Sequence, residues 1–260
     1  MALATLLKDL AVWVGGYDFS GYMKSIRMGA SKAELASGVF SDGVVCYKPG
    51  IVTVDAGGAG FWNAESALAP DPVEFARVKA DATPADWPFV VIPPNSDGNA
   101  ANTVANEGYA TVGNAYEYNI GAAHGALLPF TLKKQPSTAY SFYRVSLELA
   151  KASRTATTTS TGQQLGALSA TQQLIVILQV FSITGTGEWT LTVESDDNSD
   201  FSSATVRATF STVDQDEDPA FEVVKIAGAI TDNWWRVVLT ETSGTSTVSA
   251  AVVFGIANLT

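Results

Sequence analysis

Cysteine and histidine are almost missing from this sequence, with Cys46 and His124 as their single representatives. One cysteine excludes an internal disulfide. A zinc site built from Cys and His needs several such ligands and is excluded as well. Long apolar runs are missing too: the longest, 174–181 and 250–257, fall far short of the ~18 residues of a membrane-spanning helix. Charge is scarce. Asp, Glu, Lys and Arg make up 16% of the 260 residues, against about 25% in an average soluble domain. Thr, Ser, Asn and Gly take their place, which suits a surface that faces other protein rather than bulk water. The opening stretch, MALATLLKDLAVWVGG, lacks a basic n-region, and Lys8 and Asp9 interrupt its apolar residues. We therefore read it as mature, cytoplasmically made sequence rather than as a signal peptide.

What charge there is lies mostly on the acidic side. The net charge is −11, and nucleic-acid binding needs clustered Lys and Arg, so the chain should repel phosphate. Residues 1–153 hold 11 basic and 14 acidic side chains, whereas residues 154–260 hold 4 and 12. Two domains would differ in this way. The expected division is 1–152, a linker at 153–164 (SRTATTTSTGQQ, poor in apolar residues), and 165–260.

The pattern is almost all β. Short segments rich in Val, Thr, Tyr, Phe and Trp recur every ten to fifteen residues, punctuated by Gly, Asn, Asp and Pro. Helical periodicity is confined to 72–79 (PVEFARVK), where Pro72 suits a first helical position and Asp71 could cap, and to 2–10. Alternation at Trp189, Leu191, Val193 and at Val206, Ala208, Phe210 buries one face of each strand. Six or so strands in the last hundred residues read as a β-sandwich. Within 29–50, Asp42-Gly43 and Pro49-Gly50 are turn signals, so that segment reads as a protruding hairpin.

No catalytic set emerges. His124 sits in GAAHGALL with no nucleophile elbow beside it, and Cys46 reads as a small packing residue. Asp196, Asn198 and Asp200 have the spacing that opens a calcium loop, but Phe201 and Arg207 stand where glycine and glutamate are required. A plain turn accounts for them, with a cation site as the alternative. Asp214, Asp216, Glu217 and Asp218 form an acidic patch that reads as a solvated loop or as a surface that repels DNA. Trp234 and Trp235 must face opposite sides of a strand. Trp189, Trp234 and Trp235 are thus candidate exposed aromatics for stacking on sugars, with core packing as the alternative. Gly57, Gly58 and Gly60 mark a bulge or a close backbone approach rather than a phosphate loop. No cofactor and no enzyme activity are expected.

Two motifs carry a family resemblance. Gly16-Tyr17-Asp18-Phe19-Ser20-Gly21 and, after a strand and a hairpin excursion, Gly58-Ala59-Gly60-Phe61-Trp62-Asn63 resemble the N-terminal part of the tail tube (major tail) proteins of long-tailed bacteriophages. The later stretches TGQQLGALSATQQL, VESDDNSDFSSATVRATF and ITDNWWRVVLT are similar to a C-terminal region attached to such proteins. The resemblance implies an all-β fold with one or two short helices: a tail-tube-type β-sandwich or barrel domain, followed by a C-terminal β-sandwich. It implies a virion protein of the tail, assembled in the host cytoplasm. Its first partner would be itself, in stacked homo-oligomeric rings, hexameric or threefold if both halves are tube folds. Other tail proteins (tape measure, terminator, baseplate) would join it. Viral DNA would pass through the lumen without specific binding, and no membrane is involved. The 29–50 hairpin, with Asp42, Gly43, Tyr47 and Pro49, would stack the rings. A capsid-decoration or head–tail connector protein, or a carbohydrate-binding surface module, are the alternative readings.

Overall fold

A computed structural model describes residues 10–37, 46–79, 86–94, 101–136 and 141–259. The expected helix at 2–10 lies almost wholly outside the described residues. In chain order the elements are β1 (Ala11–Val14), β2 (Tyr17–Asp18), β3 (Met23–Ser37), β4 (Cys46–Phe61), α1 (Pro70–Lys79), β5 (Trp87–Ile92), β6 (Glu107–Ile120), β7 (Pro129–Pro136) and β8 (Phe142–Arg154). They continue with β9 (Thr158–Thr159), β10 (Gln163–Gln164), β11 (Gln172–Gly185), β12 (Glu188–Asp196), β13 (Thr205–Thr209), β14 (Ala220–Ala227), β15 (Trp234–Ser243) and β16 (Ser246–Asn258). The fold is all-β with one helix among the described residues, as the alternating sequence pattern requires.

The chain forms two compact units, and they are not consecutive in sequence. The first comprises Met1–Gly21, Trp87–Ala110 and Tyr143–Thr260; the second comprises Tyr22–Asp86 and Thr111–Phe142. This differs from the expected break at 153–164. That segment is not a free connection, because β9 and β10 both pair with β15.

The first unit is built on two antiparallel layers. In one, β14, β11, β16, β8, the start of β6, β5, β1 and β2 follow in order; in the other, β10, β15, β12 and β13, with β9 also on β15. The core between the layers has a period of two. Leu174, Val176, Leu178 and Val180 of β11 and Val248, Ala250, Val252 and Phe254 of β16 face Trp189, Leu191 and Val193 of β12 and Trp235, Val237 and Leu239 of β15. Each such side chain contributes roughly 1.5–3 kcal/mol by leaving water. The opposite face of β11 is buried as well, because the long sheet curls until its far end returns. Trp13 meets Phe181 edge-on at 5.6 Å, and Trp87 meets Phe221 at 5.1 Å. The Gly16 N–H donates to Gln179 Oε1. Gly16 has φ +85°, and a Cβ there would meet the Val180 and Ala220 carbonyl oxygens at 2.8 and 2.7 Å. Only glycine permits this approach.

The second unit is a sheet in the order β3, β4, β7, β6 with α1 docked on it. Gly58 and Gly60 lie where β4 is sandwiched between β3 and β7. A Cβ at Gly60 would come within 2.1 Å of the Tyr22 carbonyl oxygen and 2.6 Å of the Phe130 ring. The close-approach reading of this glycine cluster is the one the backbone follows.

Candidate assembly surface

The second unit carries an unusual exposed feature. β3 pairs with β4 from Met23 opposite Gly60 to Ser37 opposite Cys46, but β4 pairs with β7 only from Ala56 to Phe61. Residues 29–37 and 46–55 are therefore a two-stranded ribbon with no further strand on either side among the described residues. At about 3.4 Å per residue it extends some 30 Å beyond the sheet. Val52, Thr53 and Val54 give it β-forming character, and Pro49 stands opposite Glu34 where the register shifts by one residue. A proline is tolerated there because an edge or a bulge needs no N–H donor. Lys32 and Glu34 are exposed. The Arg27–Asp55 ion pair (3.0 Å) is largely exposed and contributes little. Isolated two-stranded ribbons are marginal in water, and unpaired edges invite another strand.

The other end of the same strands is apolar. β4 ends at Phe61, opposite Pro129, and the Trp62 N–H donates to the Leu128 carbonyl (2.8 Å). β6 ends at Ile120, opposite Phe130. Four large side chains gather at this end of the sheet and remain in solvent: Phe61 (44% exposed), Trp62 (41%), Ile120 (53%) and Leu127 (74%). Their combined exposed area is about 400 Å², given the 150–250 Å² of a whole aromatic side chain. Monomeric proteins rarely expose contiguous apolar patches beyond a few hundred Å².

The helix beneath is fixed by charge. Glu74 is fully buried, and its carboxylate accepts from Lys134 Nζ at 2.7 and 2.5 Å and from Arg77 at 2.9 Å. Burial pushes the Lys134 ammonium down to about 7, with Glu74 opposing the shift. Asp71 does not cap α1, which begins one residue earlier at Pro70. Instead Asp71 accepts from the Tyr118 hydroxyl at 2.8 Å. Burial and that carboxylate hold the Tyr118 phenol well above its ordinary value. These ties clamp α1 to β6 and β7.

The residues singled out in the sequence fall in several places. Tyr47 and Pro49 lie on the ribbon, opposite Ala36 and Glu34; Asp42 and Gly43 lie outside the described residues. Asp196 serves its own turn: its carboxylate accepts from the Asn198 N–H (3.0 Å) and the Ser203 N–H (2.8 Å), which holds it below the usual carboxylate range. Asp200 accepts from the Ser202 N–H in the same manner. Among the described residues no three His, Cys, Asp or Glu side chains converge as a metal site. In the acidic patch, Asp214 accepts from the Asp216 N–H (2.8 Å) and Asp218 from the Ile183 N–H (2.5 Å), while Asp216 and Glu217 face solvent. The aromatic expectation needs correction. Trp189 and Trp235 are fully buried, and their indole N–H groups donate to Ser246 Oγ (2.6 Å) and the Gly166 carbonyl (3.1 Å). Strand alternation leaves Trp234 alone half-buried on the outer face.

No family model and no curated protein matches the chain. Among solved structures it is similar to the SPP1 Dit (gp 19.1) protein, whose crystal structure is presented as a paradigm of the hub adsorption apparatus in phages that infect Gram-positive hosts. The alignment covers 96% of this chain and 100% of that one, at 13% identity and a TM-score of 0.31. Similarity of that degree fixes neither a shared assembly nor a shared activity.

Two arrangements were not legible in the sequence. One is the ion cluster of Glu74, Arg77 and Lys134, for which only the Glu74-Arg77 spacing on one helix gave a signal. The other is Glu148 on β8, fully buried, whose carboxylate accepts from Ser160 Oγ (2.5 Å) and Gln163 Nε2 (2.7 Å). Burial raises its pKa to about 7 against these stabilising donors and the Gly162 N–H. Residues 158–164 are therefore a polar strap around a carboxyl, which explains why they contain so little apolar matter.

Proposed function

We propose that this chain is a structural protein of a bacteriophage tail that assembles with copies of itself into rings, stacked as the tail tube through which the genome leaves the virion. The observation that carries this reading is the ribbon 29–37 and 46–55, whose outer edges pair with no other strand among the described residues. Strand addition from a neighbouring copy supplies the missing main-chain hydrogen bonds, and repetition of one such heterologous contact closes a ring. The two sequence motifs fit it: Asp18 of the first accepts from the Ser20 N–H and from Lys151, and Phe61-Trp62 of the second form part of the exposed apolar end. The low share of charged residues suits a surface largely covered by other copies. The net charge of −11 keeps a passing phosphate backbone from adhering. In this role the protein needs no cofactor and no catalysis, its partners are other tail proteins, and its place is the virion.

The test is assembly. Purified protein, concentrated with and without fragments of assembled tail as seeds, should show rings or tubes by negative-stain electron microscopy and a rise in scattering with concentration. Protein that remains monomeric under both conditions overturns the reading.

A further inference from the structure

The first unit holds a cleft of about 470 Å³ at the open side of its two layers, between β14, β11 and the segment 211–213. Its floor is apolar: Leu178 and Val180 of β11 line it, each 1% exposed. Its outer side is open, since Ser211, Thr212 and Glu217 are exposed. One lining residue breaks the pattern of its strand. β14 pairs with β11 so that Ala220, Glu222 and Val224 stand opposite Val180, Leu178 and Val176. Partners directly opposite share a face of the sheet, and Ala220 and Val224 pack against the core between the layers. Glu222 is thus a carboxylate on the core-facing side of β14, where alternation calls for an apolar residue. Departures of this kind concentrate where a surface has work to do.

The carboxylate is held in place. Glu222 Oε2 accepts from the Ser211 N–H at 2.8 Å, and Oε1 has no hydrogen-bond partner among the described residues. Glu217 lines the same cleft. No cation answers them. Lys225 is the only base between Arg207 and Arg236 in the sequence. It stands opposite Ile175, an odd position of β14, and so lies on the other face of the strand.

We infer that this cleft binds a small aliphatic amine, with its hydrocarbon stem on Leu178 and Val180 and its ammonium on Glu222 and Glu217. Apolar walls with one or two placed charges are the form of a small-ligand site, and the volume lies in the range of such sites. The sign of the charge selects a cation. The engagement of Oε2 by Ser211 favours an ammonium, a compact charge whose donors each need one oxygen, over a guanidinium fork that needs two. The inference does not rest on the tail-tube reading, and neither falls with the other.

The test is calorimetric titration of the full-length protein at low salt with n-pentylammonium chloride. Two controls separate stem from charge: pentan-1-ol lacks the ammonium, and methylammonium lacks the stem. Each should bind at least about 10-fold more weakly than pentylammonium, the former for want of a charge-assisted hydrogen bond and the latter for want of buried methylenes. Glu222→Gln should weaken pentylammonium by about 10-fold. The new amide oxygen still accepts from the Ser211 N–H, so the circular dichroism and melting temperature should match the wild type. Should that variant melt early, Glu217→Gln, at an exposed position, takes its place and should also weaken binding. Pentan-1-ol that binds as well as pentylammonium, or variants that bind it as the wild type does, overturn the site. Lysine blocked at both its α-amino and carboxyl groups offers the same head and a similar stem on a peptide. If it binds more tightly than pentylammonium, the cleft receives a side chain of a neighbouring protein and the free-amine assignment is overturned.

Discussion

Replacing Glu148 by glutamine should change how stability depends on pH, by an amount the structure allows one to work out. The carboxyl has an ordinary pKa of 4.5 and is raised to about 7 in the folded protein. Burial is the main cause, and it outweighs the hydrogen bonds from Ser160, Gln163 and the Gly162 N–H. A folded-state pKa above the unfolded one means that the native protein holds the proton more tightly. The stabilisation is then complete below pH 4.5, falls as pH rises toward 7, and is gone above it. A separation of 2.5 pH units at 1.36 kcal/mol each amounts to at most about 3 kcal/mol. Glu148→Gln cannot titrate. Its side-chain oxygen can still accept from Ser160, while the bond from Gln163, whose Nε2 is also held by the Leu147 carbonyl (2.9 Å), is lost at a cost that is the same at every pH. Denaturant titrations of both proteins from pH 4 to 8.5 should therefore diverge, with the variant gaining about 3 kcal/mol on the wild type between pH 4.5 and 7 and holding that gain above 7. The other titrating groups are common to both proteins and cancel in the difference. Parallel curves would refute the assignment of a strained, desolvated carboxyl beneath the 158–164 strap.

Other perturbations reach the second unit and the core. Lys134→Ala leaves the buried Glu74 with Arg77 alone and should cost about 3–5 kcal/mol by denaturant titration, while the double variant Glu74→Met with Lys134→Met should recover most of it. Gly60→Ala, whose Cβ would stand 2.1 Å from the Tyr22 carbonyl oxygen, should cost 2 kcal/mol or more, on the order of an overpacked core, and lower the melting temperature. Trp189→Ala should cost about 3–5 kcal/mol by opening a cavity between the two layers, and a glycan array should read the same before and after the change. Adding calcium should leave the melting temperature unmoved, since the Asp196 carboxylate is engaged by its own backbone; a rise would restore the cation reading of Asp196, Asn198 and Asp200.

The strands were legible because burial of one face writes itself into alternate residues. Trp189, Leu191 and Val193 announce β12, and a Gly-rich turn before it and an Asp, Asn and Ser-rich turn after it announce its limits. The same alternation already contained the answer for Trp189, which shares a face with two core residues and had to be buried. The pairing of strands was not legible. β1 pairs with β5 across some 75 residues, and no local pattern states which of several free edges a strand will choose. The 153–164 segment misled for a physical reason. Its side chains are polar because they answer a carboxyl on β8 and an edge on β15, and composition alone cannot tell a strap from a tether. The apolar end was half visible: Phe61 and Trp62 stand in a motif, but nothing in the sequence places Ile120 and Leu127 beside them.

The interleaving of the two units sets an order on synthesis. Every strand of the second unit has emerged by residue 136, whereas the first unit lacks its central strand β16 until residue 258. At the usual 5–20 residues per second, about 6–24 s pass between the two events. The second unit can thus fold while the nascent chain is still tethered and the first unit is unfinished.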